Sequence, residues 1–183
     1  MRYDKLNIVD NLVEPHIAEL IDQEVNSLSW KYDYNSRKGG ASKHWHVAGM
    51  HNRDEVLSAN MDWLLPIWDA AMRKIELKLE WVRVYLNAHT HGIEPLTHKD
   101  DGDYTLIYYP RMDWEKDFMG GTIVGNEVAE YVGNRLICFP AKTTHGALPV
   151  SRMCHKLRTC IVFKTMDMGG QITNPNRLDD YRD

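Results

Sequence analysis

The 183-residue chain has little that would mark it as a membrane, secreted or scaffold protein. Three cysteines, Cys138, Cys154 and Cys160, form neither a C-x-x-C pair nor an even set, which argues against zinc-ribbon ligation and a disulfide framework. They read as buried thiols. No stretch approaches the roughly 18 apolar residues of a membrane span, and the opening MRYDKLNIVDNLVEP lacks an apolar leader core, so a cytoplasmic protein is expected. Repeats, low-complexity tracts and Gly/Ser linkers are also missing, and a single domain over residues 1–183 is expected. With 22 basic and 26 acidic side chains the net charge is −4, which gives no general attraction to nucleic acid or an anionic membrane.

What the chain has is histidine, nine of them, and a change of pattern near residue 80. After Pro15, Ile17, Leu20, Ile21, Val25 and Leu28 recur at helical steps, predicting a surface helix that ends near Trp30. Leu57, Met61, Leu64, Leu65, Trp68, Met72 and Ile75 predict a second helix, kinked at Pro66. Between them, residues 31–53 read as a long loop or irregular strand pair. From Trp81 the runs 81–89, 104–110, 121–125, 127–132, 135–140 and 157–165 are short, β-branched and punctuated by Gly or Pro. The order is α+β: a helical part over 1–80 buttressing an antiparallel body over 81–166, then a short tail.

His98-Lys99-Asp100 carries the chemistry. In an extended segment His98 and Asp100 share one face, so an imidazole and a carboxylate converge while Lys99 points away. A further histidine completes the facial triad that leaves positions open on a ferrous ion, and His145 in PAKTTHG is the best candidate. Two other sets compete. His89-x-His91 followed by Glu94, with His145 downstream, approximates a cupin-type metal barrel. His44-Trp45-His46 with Arg37, Lys38, Gly39 and Gly40 reads equally as a substrate lid or a polar surface loop.

From Trp81 to Lys164 the chain resembles the Fe(II)- and 2-oxoglutarate-dependent dioxygenases, especially their prolyl-4-hydroxylase-like branch. The ordered landmarks are VRVYLNAHTHG, His98-Lys99-Asp100, LIYYP, Gly120-Gly121, RLICFP, His145 and Arg158. The resemblance implies a double-stranded β-helix, or jelly roll, with Fe(II) on His98, Asp100 and His145. It implies 2-oxoglutarate as cosubstrate, O2 as oxidant and ascorbate as an allowed extra reductant.

Arg158 matches the residue that binds the far carboxylate of 2-oxoglutarate, a role its planar guanidinium suits. It lies thirteen positions after His145, farther than in most relatives, which leaves Arg152 and Lys156 as substitutes. Tyr109, Tyr85 and Asn87 match positions that line the cosubstrate pocket, and Gly120-Gly121 a backbone turn. The implied activity is hydroxylation of a prolyl or other residue of a protein or peptide, or of a small molecule, with release of succinate and CO2. An AlkB-like nucleic-acid demethylase is the alternative within this chemistry. Its usual arginine pair is absent and the charge disfavours a nucleic-acid partner.

Overall fold

A computed structural model describes residues 5–35 and 43–169. Ten strands and three α-helices follow in the order β1 (Asn7–Val9), α1 (Pro15–Ser27), β2 (Lys31–Tyr34), β3 (His44–Met50), α2 (Arg53–Ser58), α3 (Leu65–Lys74), β4 (Leu79–His89), β5 (Tyr104–Tyr109), β6 (Thr122–Val124), β7 (Glu127–Ala129), β8 (Arg135–Pro140), β9 (His145–Ala147) and β10 (Arg158–Asp167). They form a seven-stranded sheet, β1-β8-β5-β10-β4-β3-β2, and a three-stranded sheet, β7-β6-β9. Every pairing in both is antiparallel.

The period-two alternation of the body decides what faces what. On one face of the large sheet Val84, Leu86, Leu106, Tyr108, Leu136, Cys138, Ile161 and Phe163 pack against Ala18, Ile21 and Val25 of α1 and Ile67, Ala70 and Ala71 of α3. Each large apolar side chain buried there contributes roughly 1.5–3 kcal/mol. On the other face Tyr85, Ile107, Tyr109, Ile137, Phe139, Cys160 and Val162 meet Val124 and Ala129 of the small sheet and Tyr131 just beyond β7. This two-sheet sandwich is the expected jelly roll, and the helices cover its outer face as the α+β order implied.

One local reading needs correction. The second helix is broken, not kinked: α2 ends at Ser58, Asn60 takes a left-handed φ of 55°, and a 3-10 turn at Asp62–Leu64 precedes α3. Pro66 lies in the first turn of α3, where its missing N–H costs nothing. Asn52 defines the start of α2 instead, its side-chain oxygen accepting from Glu55 N while the Glu55 carboxylate accepts from Asn52 Nδ2 and His51 N. Residues 31–50 contain the strand pair β2–β3. Of the loop motif, Arg37, Lys38, Gly39 and Gly40 lie outside the described residues.

Candidate active site

His98 and His145 belong to different segments that are locked together by backbone. Their N–H groups donate to each other's carbonyls at 2.8 and 2.9 Å, a two-bond antiparallel bridge between the H-x-D segment and β9. Asp100 N donates to Ala141 O at 2.9 Å, so the carboxylate is pinned to the same PAKTTHG loop. Each imidazole is turned by a carbonyl two residues earlier: His98 Nδ1 lies 3.2 Å from Leu96 O and His145 Nδ1 2.9 Å from Thr143 O. In the neutral rings Nδ1–H donation leaves both Nε2 lone pairs free, the tautomer a metal ligand needs, whereas a protonated ring turns its Nε2–H to Asp100.

Those Nε2 atoms lie 3.6 Å (His98) and 3.4 Å (His145) from the oxygens of Asp100. The three ligand atoms all fall within 4.8 Å of one another, the only such cluster of three or more His, Cys, Asp or Glu among the described residues. Asp100 is 4% exposed. Thr105 donates to one of its oxygens at 2.8 Å, and Lys164 Nζ lies 3.2 Å from the other. Burial alone would raise the Asp100 pKa, but hydrogen bonds from His145 and His98 and the Lys164 charge outweigh it and hold the carboxyl far below its usual range. The donor set is charged and correctly oriented, and it fits a divalent first-row metal.

The same hydrogen bond to Asp100 is the main reason that the His98 pKa is raised, with burial opposing it. A raised pKa means that the metal-free site keeps its proton to higher pH than an ordinary histidine, and binding must expel that proton. Metal affinity should therefore fall on acidification from above the usual histidine range, by up to about tenfold per pH unit. Calorimetric titration with Co(II) between about pH 8 and pH 6 in buffers of different ionisation enthalpy measures both the loss and the released proton. A flat affinity would contradict the ligand set.

Beside the triad lies a narrow cavity of about 50 Å³ lined by Tyr85, Asn87, His89, Ile107, Thr122, Arg158, Cys160 and Val162, with the 44%-exposed Leu96 also on its lining. Arg158, which opens β10, is 1% exposed. Its Nε donates to Gly120 O and its Nη2 to Thr122 Oγ1 at 3.2 Å, and the guanidinium sits 5.8 and 5.7 Å from the Tyr109 and Tyr131 ring centroids. None of the described carboxylates pairs with it. A buried cation without a counter-charge costs several kcal/mol, a cost that an anion beside it would offset.

Gly120 and Gly121 make that seat possible. Gly120 has a φ of +73°, and a Cβ there would come within 3.2 Å of Arg158 Cδ. A Cβ on Gly121 would lie 2.5 Å from Ala129 O.

Of the residues expected at the cosubstrate pocket, Tyr85 and Asn87 line the cavity. Tyr109 stands one residue back, its hydroxyl donating to Thr122 Oγ1 at 2.7 Å while its ring stacks on Tyr131. It reaches the cavity through Thr122, a residue that sequence reasoning passed over. The substitutes for Arg158 lie elsewhere: Arg152 is exposed, and Lys156 bonds Asp113 Oδ2 at 2.7 Å.

The competing sets are not assembled. His91 is exposed, with Nδ1 3.2 Å from Val150 O, and neither it nor His89 joins His145 in a ligand cluster among the described residues. His89 instead lines the cavity opposite Arg158 in the β4–β10 register. Burial pushes its pKa down to about 2 and that of neighbouring His44 to about 4, so both are neutral near pH 7. His89 Nδ1, His44 Nε2 and Asn87 Oδ1 are buried without hydrogen-bond partners. Trp45 does not cover the site: it pairs with Ala88 in register, facing away from His44 and His46, and its ring meets Tyr32.

No family model matches the sequence, and no curated protein matches it. Solved structures do match by fold. A Pseudomonas putida prolyl-4-hydroxylase superposes with a TM-score of 0.55 at 10% identity, covering 88% of this chain and 92% of that one. The viral collagen prolyl hydroxylase of Paramecium bursaria Chlorella virus-1, in its 2-oxoglutarate complex, gives 0.54 at 13% identity, covering 88% and 96%. HygX from Streptomyces hygroscopicus, with nickel and 2-oxoglutarate bound, gives 0.57 at 10%, covering 88% and 82%. The chain thus has the fold of prolyl-4-hydroxylases and other 2-oxoglutarate-dependent oxygenases. No described helix is long and apolar enough to cross a membrane.

Proposed function

We propose that the chain is an Fe(II)- and 2-oxoglutarate-dependent dioxygenase that hydroxylates an unactivated C–H bond on a prolyl or other residue of a protein or peptide, releasing succinate and CO2. The observation that carries this reading is one cavity holding both a His-Asp-His donor set, with Asp100 and His145 buried and His98 half-buried, and a buried guanidinium without a counter-charge. His98, Asp100 and His145 would hold the ion, and Arg158 the far carboxylate of the cosubstrate. Bound there, the ion and cosubstrate supply oxidative decarboxylation coupled to insertion of one atom of O2 into the C–H bond.

The chain's own share is position and dryness. The His98–His145 backbone bridge fixes two donors before any ligand arrives, and Thr105 orients the third. Tyr109 and Thr122 hold the Arg158 guanidinium, so little side-chain freedom is lost when it meets a carboxylate. Ile107, Val162 and Tyr85 make the wall apolar and exclude water. Asn87 and His89 leave polar atoms in that wall for the cosubstrate.

A succinate-release screen with Fe(II) and 2-oxoglutarate against proline-containing peptides, free amino acids and oligonucleotides tests the substrate class. Release that depends on peptide and adds 16 mass units to it is expected. Release that depends on oligonucleotide alone would replace this reading with the demethylase.

A further inference from the structure

Register along β10 and β4 lays out the inner wall of the large sheet residue by residue. Arg158 faces His89, Cys160 faces Asn87, Val162 faces Tyr85 and Lys164 faces Arg83. The wall therefore has a cation at one end and two cations, directly opposite each other, at the other. Six residues of strand, about 20 Å, separate the ends. A five-carbon diacid that meets Arg158 and the metal centre does not extend to Arg83.

Like charges across a strand pair are destabilising unless something lies between them. Lys164 has Asp100, 3.2 Å away, but Asp100 is the carboxylate a metal ion would claim. Lys142 Nζ, 3.2 Å from the backbone carbonyl of Asp100, is a further cation near that residue. Arg83 has no carboxylate among the described residues, and its Nε is buried without a hydrogen-bond partner. Its guanidinium lies 5.2 Å from the Tyr85 ring centroid, and Lys164 Nζ lies 6.0 Å from the same ring. Nor is Arg83 a free surface side chain. Its Nε, Cδ and Cγ occupy the space that a Cβ on Gly49 would need, so glycine at that point of β3 lets the arginine lie flat against the wall.

We propose that Arg83 and Lys164 form an oxyanion subsite at the mouth of the metal centre, and that the substrate presents a carboxylate there. The inference rests on the dioxygenase reading for the word substrate. The subsite itself rests only on this wall. Arginine supplies the planar two-donor fork that carboxylates favour and lysine the second positive charge, with Tyr85 as a floor between them. A group held there stands next to Asp100 and leaves the Arg158 end to the cosubstrate. For a peptide substrate this selects an acidic side chain or a free C-terminus close to the hydroxylated residue.

The test observes the arginine Nε–H resonances by NMR in protein loaded with Zn(II) and saturated with 2-oxoglutarate, titrated with acetate and, separately, with inorganic phosphate. A saturable shift of the Arg83 Nε–H signal with acetate is expected, weakened at least about tenfold in Lys164→Met, while 2-oxoglutarate affinity in Arg83→Gln stays within about twofold. A shift with phosphate but not acetate would overturn the carboxylate assignment. An unmoved Arg83 signal with both anions, in protein whose Arg158 signal responds to 2-oxoglutarate, would overturn the subsite while sparing the dioxygenase reading. If the Arg158 signal does not respond, the dioxygenase reading fails separately, and acetate binding at Arg83 still decides the subsite.

Discussion

Asp100→Ala is expected to abolish metal binding and 2-oxoglutarate turnover while leaving the fold intact. Loss should exceed the 10–100-fold typical of outer-shell partners, because this residue is a ligand and the other ligands are arranged around it. The fold survives because the helix-covered core and the inter-sheet cluster draw on other residues. The substitution leaves Lys164 without its carboxylate and Thr105 without its acceptor, so a modest drop in melting temperature accompanies the loss. His98→Ala and His145→Ala should behave alike, each removing an Nε2 donor. His89→Ala should retain the metal, which separates this ligand set from the cupin-type one. Metal content by mass spectrometry and far-ultraviolet circular dichroism check both halves. A metal-free His89→Ala with a metal-replete His98→Ala would reverse the assignment.

Arg158→Met should raise the apparent KM for 2-oxoglutarate by one to two orders of magnitude. A charge-assisted hydrogen bond contributes roughly 1.5–3 kcal/mol, and about 1.4 kcal/mol corresponds to a factor of ten. The stability effect should run the other way. The guanidinium is buried without an anion in the ligand-free protein, and an unbranched apolar side chain removes that desolvation cost. Melting temperature without cosubstrate should therefore hold or rise, while the rise that 2-oxoglutarate induces shrinks. Arg158→Lys should recover part of the affinity, since it keeps the charge and loses the fork. An unchanged KM in Arg158→Met would return the carboxylate to Lys156 or Arg152, although Lys156 is held by Asp113.

The long body strands β4, β5, β8 and β10 were legible because they are buried along most of both faces, which makes each a β-branched or aromatic run. RLICFP ends where the structure ends it, at Arg135 and Pro140. The break at Asn60 was not legible, because the apolar spacing from Leu57 to Ile75 runs on through it. Asparagine tolerates the left-handed conformation without announcing it. The metal ligands were visible as H-x-D plus a later histidine, since one face of an extended tripeptide is a local property. What stayed hidden depends on register between distant segments: Thr122 receiving Tyr109 and Arg158, Lys164 against Asp100, and Arg83 opposite Lys164. The side of β3 that Trp45 faces was hidden for the same reason, since it is fixed only by the pairing with Ala88.

The most direct test of the account is the visible spectrum of the protein under anaerobic conditions as Fe(II) and then 2-oxoglutarate are added. A weak charge-transfer band should arise only with both present, and should be absent from Asp100→Ala and need far more 2-oxoglutarate in Arg158→Met. Iron bound with no such band at saturating 2-oxoglutarate would contradict it.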